Sequence, residues 1–188
     1  WKMGKKITID SATMMNKVFE IIEAKKIFDI SYKKLVILVH PKSYVHAMVK
    51  FKNGLTKILI HDTNMTIPIF NSFYENNEKI IKTKQLNFSV INDLNFKEID
   101  LKKFPVVKIL ANLPHHNSLF ETVIVSANDA LVQLFLNKKI DFLDISKNLL
   151  KIIKNKNFTK YKSILPKKVS DITELSKYVS LKISTLSI

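Results

Sequence analysis

Polar and apolar residues alternate through residues 5–10 (KKITID), the pattern of a short half-buried strand. Beyond it, Met14, Met15, Val18, Phe19, Ile22 and Ile27 recur at spacings of mostly three and four, which predicts a helix capped by Ser11 or Thr13. Residues 35–39 (LVILV) are continuously aliphatic, as in a strand covered on both faces. His40-Pro41 ends that run, because proline lacks an N–H and holds the residue before it extended. Two further β-type runs, residues 45–51 and 55–60, flank Asn53-Gly54 and predict a hairpin.

From Tyr74 to Lys103 the pattern dissolves into Asn- and Lys-rich sequence, read as a surface linker. Phe104-Pro105 then opens a helical region with helical spacing over residues 106–113, 128–137, 145–154 and 171–183, broken at Pro114 and Pro166. The expected fold class is α/β (α+β) with a small sheet, then a linker and an all-α C-terminal helical bundle. The division is 1–74, 75–103 and 104–188, with no internal repeat. Met14, Met15, Met48 and Met65 read as core packing.

Composition narrows the function classes. All 31 basic residues are lysine against 16 acidic residues, for a net charge of +15. Sequence-specific nucleic-acid readers rely on arginine for bidentate contacts, so the lysine excess reads as coding bias instead. The absence of cysteine excludes disulfides, cysteine-ligated zinc and thiol catalysis. No apolar run approaches the roughly 20 residues of a membrane span, and no signal-type core follows the start. A cytoplasmic protein without membrane or nucleic-acid partners is expected. Because residue 1 is Trp, the chain is expected to be a fragment of a longer one.

The candidate chemistry lies in residues 3–24. On this reading Ser11 stands at a strand-to-helix junction, where backbone N–H groups and the positive helix end favour an anion such as phosphate. Lys17 can supply a point charge, and Asn16 can both donate and accept. Glu20, four residues after Asn16 and three after Lys17, shares their side of the helix, and Glu23 extends the stripe. A carboxylate there suits Mg²⁺ or Mn²⁺, hard cations that prefer oxygen. The same residues also fit a plain N-cap and a solvated helix face, and spacing alone does not choose. His40 and His46, lone histidines on or near a strand, read from position alone as hydrogen-bonded scaffold rather than as catalysts.

The run Gly4-Lys5-Lys6-Ile7-Thr8-Ile9-Asp10-Ser11-Ala12-Thr13-Met14-Met15-Asn16-Lys17, followed by Glu20 and Ile22-Glu23-Ala24, resembles the 1-deoxy-D-xylulose 5-phosphate reductoisomerase family. His40-Pro41-Lys42-Ser43 with His46 and Met48 is similar to its HP.S..H.MV segment, and Asn64-Met65 with Pro68-Ile69 to its DM..PI segment. Phe104-Pro105 is similar to its FP.L segment and Ala127-Asn128-Asp129 to its AANE helix start.

The resemblance implies an enzyme that rearranges and reduces 1-deoxy-D-xylulose 5-phosphate to 2-C-methyl-D-erythritol 4-phosphate, in the non-mevalonate route to isoprenoid precursors. It implies NADPH and Mn²⁺ or Mg²⁺ as cofactors, a phosphorylated sugar as substrate, and a homodimer. Glu20 and Lys17 are the implied catalytic residues, and Glu20 is the implied metal ligand. Ser11, Asn16, Lys17, Glu20 and His46 are the implied substrate contacts, and Gly4, Met3 and Met65 the cofactor contacts. Trp1 and Met3 are placed at the end of a closing loop.

Departures from the family pattern accompany these matches. Val18 replaces a small residue, Thr63 a proline and Asp129 a glutamate, and Pro114-His115-His116-Asn117 stands where a glycine-pair turn is usual. The adjacent histidines are not read as metal ligands. With glycine only at positions 4 and 54, no G-x-G-x-x-G turn can occur, so the dinucleotide-binding domain and two further metal ligands are expected outside this chain. The fragment alone is expected to be inactive. A lysine-rich module that binds nucleic acid or other anions without catalysis is the competing reading.

Overall fold

The structure, a computed structural model, describes residues 3–74, 79–85 and 87–185. In chain order its helices are α1 (Lys5–Thr13), α2 (Met15–Phe28), α3 (Thr66–Phe73), α4 (Phe88–Asn92), α5 (Phe120–Leu136), α6 (Phe142–Ile152), α7 (Lys156–Thr159) and α8 (Val169–Thr185). The strands are β1 (Leu38–Val39), β2 (Val45–Lys50), β3 (Thr56–Ile60) and β4 (Lys97–Glu98). Three 3-10 segments, Tyr32–Lys34, Pro105–Asn112 and Lys160–Ser163, complete the described elements. Two compact units emerge: residues 38–99, and the described residues before Leu38 together with those from Asp100 onward. The second is discontinuous in sequence, which differs from a division at 74 and 103.

The helical unit is built on α5, which buries residues around most of its circumference, including Phe120, Val123, Ile124, Ala127, Asn128 and Leu131. Against it pack α8, through Leu175, Val179 and Ile183 at spacings of four, and α6, through Ile145, Leu149 and Ile152. A reciprocal Asp141–Asp144 capping box starts α6. α2 buries Met15, Val18, Ile21 and Ile22 and packs on the Pro105–Asn112 segment.

The predicted strand over residues 5–10 is instead the helix α1. A strand would place Ile7 and Ile9 on one face, but Ile9 is 7% exposed and Ile7 48%. The buried set Ile9, Asp10 and Thr13 follows the helical period, and a Lys6–Asp10 ion pair of 2.8 Å supports it at i,i+4. α1 breaks from α2 at Met14, whose φ of 66° is left-handed. Ser11 is therefore not an N-cap; it lies in the last turn of α1, where its carbonyl accepts from the Met14 N–H at 3.1 Å. Thr13 lends its hydroxyl to the Met15 N–H at 3.4 Å. Of the four methionines assigned to the core, Met15 is wholly buried while Met48 and Met65 are exposed.

In the unit of residues 38–99, β2 and β3 form the expected hairpin, with Met48 opposite Ile58. Phe51 N–H donates to Leu55 O at 2.8 Å and Gly54 N–H to Phe51 O at 3.1 Å, closing a three-residue loop. Gly54 has φ +88°, the left-handed position such a loop needs after its turn. The aliphatic run of residues 35–39 yields only β1, and Val36 and Leu38 are exposed, so it is not a strand covered on both faces. Its partner is β4, with Leu38 opposite Glu98. The stretch read as a linker thus supplies α4 and β4; residues 75–78 and 86 of it lie outside the described residues. Among the described residues no helix is long and apolar enough to cross a membrane.

Candidate functional site

The α1–α2 junction places most of the candidate side chains. Gly4 is the N-cap of α1, and a Cβ built on it would meet no atom within 4 Å, so the backbone there is open to a close approach. Met3 beside it is exposed, and Trp1 lies outside the described residues. Ser11 arrives from the end of α1. After the left-handed turn at Met14, the first turn of α2 presents Asn16 and Lys17 at the positive end of that helix.

Asn16, Lys17 and Glu20 come together as their spacing predicted. Lys17 Nζ lies 2.8 Å from both Glu20 carboxylate oxygens, and Asn16 Nδ2 donates to Glu20 Oε1 at 2.9 Å. The Lys17 and Glu20 side chains are 44% and 48% exposed. The cluster combines a cation, an amide and an oxygen donor facing solvent, a set able to receive a phosphorylated or hydroxylated ligand and one hard cation. Glu23 is exposed one turn further on. Among the described residues no group of three or more His, Cys, Asp or Glu side chains could by itself hold a metal ion.

His46 and Met65 belong to the unit of residues 38–99. His46 stacks on His61 with ring centroids 3.6 Å apart and planes within 3°. Its Nε2–H donates to the His61 carbonyl at 3.0 Å, and His61 Nδ1–H donates to the Asp62 carbonyl at 2.6 Å. Met65 is the exposed N-cap of α3. His40 has the scaffold role expected of it: Nδ1–H donates to Asn95 O at 3.1 Å and the ring leans on Phe96. His116 Nε2–H donates to Lys162 O at 2.9 Å.

Sequence reasoning missed a polar cluster beside the site. Asp10 and Asn128 are both buried, and Asn128 Nδ2 donates to Asp10 Oδ1 at 2.7 Å across 118 positions of sequence. Only the Lys6–Asp10 half of the cluster, at i,i+4, leaves a local signal.

Comparison with known proteins decides the family. The family model for the DXP reductoisomerase C-terminal domain matches residues 61–180, and a second model, for the 1-deoxy-D-xylulose 5-phosphate reductoisomerase C-terminal domain, matches residues 1–28. The chain belongs to the 1-deoxy-D-xylulose 5-phosphate reductoisomerase family. A reductoisomerase of this name from Pelagibacter ubique is 63% identical over 188 residues, covering 100% of this chain and 48% of the relative. Another, from Thermoanaerobacter pseudethanolicus, is 39% identical over 185 residues, 98% of this chain and 47% of the relative.

Among solved reductoisomerase structures, that from Zymomonas mobilis in complex with NADPH has a TM-score of 0.83 at 31% identity, covering 97% of this chain and 48% of that one. A crystal structure of DOX-P reductoisomerase in complex with NADPH, fosmidomycin and magnesium has a TM-score of 0.82 at 29% identity, covering 99% and 46%. The chain spans about half the length of the curated relatives it matches.

Proposed function

We propose that this chain forms part of a reductoisomerase that converts 1-deoxy-D-xylulose 5-phosphate to 2-C-methyl-D-erythritol 4-phosphate with NADPH and Mg²⁺ or Mn²⁺, in the cytoplasm, as a step toward isoprenoid precursors. The observation that carries this reading is the Asn16–Lys17–Glu20 cluster, standing inside the motif that matches the family. Lys17 offers charge to the substrate's phosphate, while Asn16 and the Ser11 hydroxyl offer hydrogen bonds to its oxygens. Glu20 offers one oxygen ligand to the metal, and the other donors come from outside the described residues. When bound, the metal polarises the substrate's oxygens and NADPH supplies hydride.

Gly4 gives the cofactor a backbone it can approach closely, with Met3 beside it. For His46 as a substrate contact and Met65 as a cofactor contact, the support is the family motif alone. Residues 1–188 on their own are inactive on this reading, because a single half-exposed carboxylate is a weak ligand. A homodimer is supported by the β2–β3 hairpin. Two strands alone are marginal in water, yet Met48, Val49, Leu55, Ile58 and Leu59 are all exposed.

The deciding experiment follows NADPH absorbance in the full-length protein with 1-deoxy-D-xylulose 5-phosphate, identifying the product by mass spectrometry. NADPH consumption that needs both the sugar phosphate and added Mg²⁺ or Mn²⁺, and that a chelator abolishes, is expected. No sugar-dependent consumption with either metal overturns the reading.

A further inference from the structure

Asp10, immediately before Ser11, is a carboxylate only 3% exposed. A buried carboxylate is costly unless its oxygens are matched. Here Oδ1 accepts from Asn128 Nδ2 at 2.7 Å, and Oδ2 accepts from the Lys6 ammonium at 2.8 Å. Lys6 also reaches Asp129 Oδ1 at 3.0 Å and lies 5.5 Å from the centre of the Phe19 ring on α2. Burial pulls the Lys6 ammonium down, but its bonds to Asp10 and Asp129 outweigh that and hold it above the ordinary 10.5.

The other half of the pair shows what the arrangement is for. Asn128 is completely buried, and its Oδ1 has no hydrogen-bond partner. Only its donor is used, and an unmatched buried carbonyl oxygen is unfavourable. Apolar residues at both positions would pack α1 on α5 without either penalty. What they would lack is direction: a single 2.7 Å bond between two buried groups fixes the rotation and register of α1 against α5. Gly4 and Ser11 ride on α1, and Asn16, Lys17 and Glu20 follow within about two turns of its end.

We propose that Asp10 and Asn128 are positioning residues, whose buried hydrogen bond, braced by Lys6, locks α1 onto α5 and so sets where Ser11 and the start of α2 meet the substrate. This inference rests on the reaction proposed above, since substrate KM is its readout.

The test uses the full-length enzyme with Asn128→Asp, Asn128→Leu, which removes the donor at similar volume, and the reciprocal double variant Asp10→Asn/Asn128→Asp. Asn128→Asp sets two carboxylates face to face, whereas the double variant again puts a donor opposite an acceptor. Substrate KM is expected to rise roughly tenfold or more in each single variant and to return within about threefold of wild type in the double, as misplacement of binding groups predicts. If Asn128→Asp does not fold, Asn128→Leu and the double variant carry the same comparison.

Two results overturn the inference: single-variant KM within about twofold of wild type while only thermal stability falls, or a double variant no better than the singles. A wild-type enzyme with no sugar-dependent NADPH consumption would instead overturn the reaction itself.

Discussion

Lys17 Nζ stands 2.8 Å from both oxygens of the Glu20 carboxylate, one turn apart on α2, with both side chains more than two-fifths exposed. An ion pair so open to solvent contributes under about 1 kcal/mol to stability. Glu20→Gln should therefore leave the melting temperature of the full-length enzyme nearly unchanged. Turnover at fixed Mg²⁺ should fall by about 100-fold or more, because the amide is a poor metal ligand. Glu23→Gln, one turn further along, should cost less than about threefold. Steady-state kinetics and a thermal melt on both variants check this, and equal losses would remove Glu20 as the single ligand from this helix.

The end of α5 offers a prediction free of any functional reading. Lys138 N–H donates to Phe135 O and Lys139 N–H to Leu134 O, both at 2.9 Å, the paired bonds of a Schellman C-terminus. Lys138 occupies the left-handed position with φ 59°. Its Cβ is strained there, and glycine is not. Lys138→Gly should raise stability by about 0.5–1 kcal/mol, measured by chemical denaturation of the purified protein.

How much of this was legible beforehand depended on the length of each periodic segment. α2, α6 and α8 run 11 to 17 residues and repeat their apolar positions often enough to fix the helical period, whereas α5, which starts at Phe120, is marked by the pattern only over residues 128–137, because its first half is buried on most faces. Residues 5–10 offered only Ile7 and Ile9 as apolar positions, an i,i+2 spacing that points to a strand because a helix sets the two on opposite faces. What decided for the helix was burial of Asp10 against Asn128, 118 positions away. β4 was hidden for a similar reason, since Lys97–Glu98 acquires its strand character only by pairing with Leu38–Val39. In the site, Asn16, Lys17 and Glu20 depend on local helical spacing alone and were readable. Ser11 depended on which element preceded α2, so its misplacement followed from the misread strand.

Two neighbours on α5 separate core packing from surface. Ile124 is fully buried and Val125 is 37% exposed. Ile124→Ala removes packed methylenes and leaves a cavity, which should cost about 2–5 kcal/mol. Val125→Ala loses little burial and gains helix propensity, so its change should stay within about 0.5 kcal/mol. Denaturant midpoints of the two variants, with equal m-values, test the burial assignment of this helix directly.

Tyr32 links a buried hydroxyl to the pH dependence of stability. Burial, with the Glu121 carboxylate nearby, pushes its phenol up from 10.0 to about 12. The hydroxyl oxygen is itself buried without a hydrogen-bond partner. In the unfolded chain the phenol loses its proton near its ordinary value, while in the fold it keeps it to about 12. Stability from this group is therefore fully present below about pH 10 and is lost as pH rises through about 12. Tyr32→Phe removes both the titration and the unmatched hydroxyl. Near neutral pH the variant should be about 1 kcal/mol more stable than wild type, the order of penalty for one unsatisfied buried group. Its advantage should widen from pH 10 toward pH 12. Chemical denaturation followed by circular dichroism across that range measures the difference, and a variant less stable than wild type at neutral pH would show that the hydroxyl is matched after all.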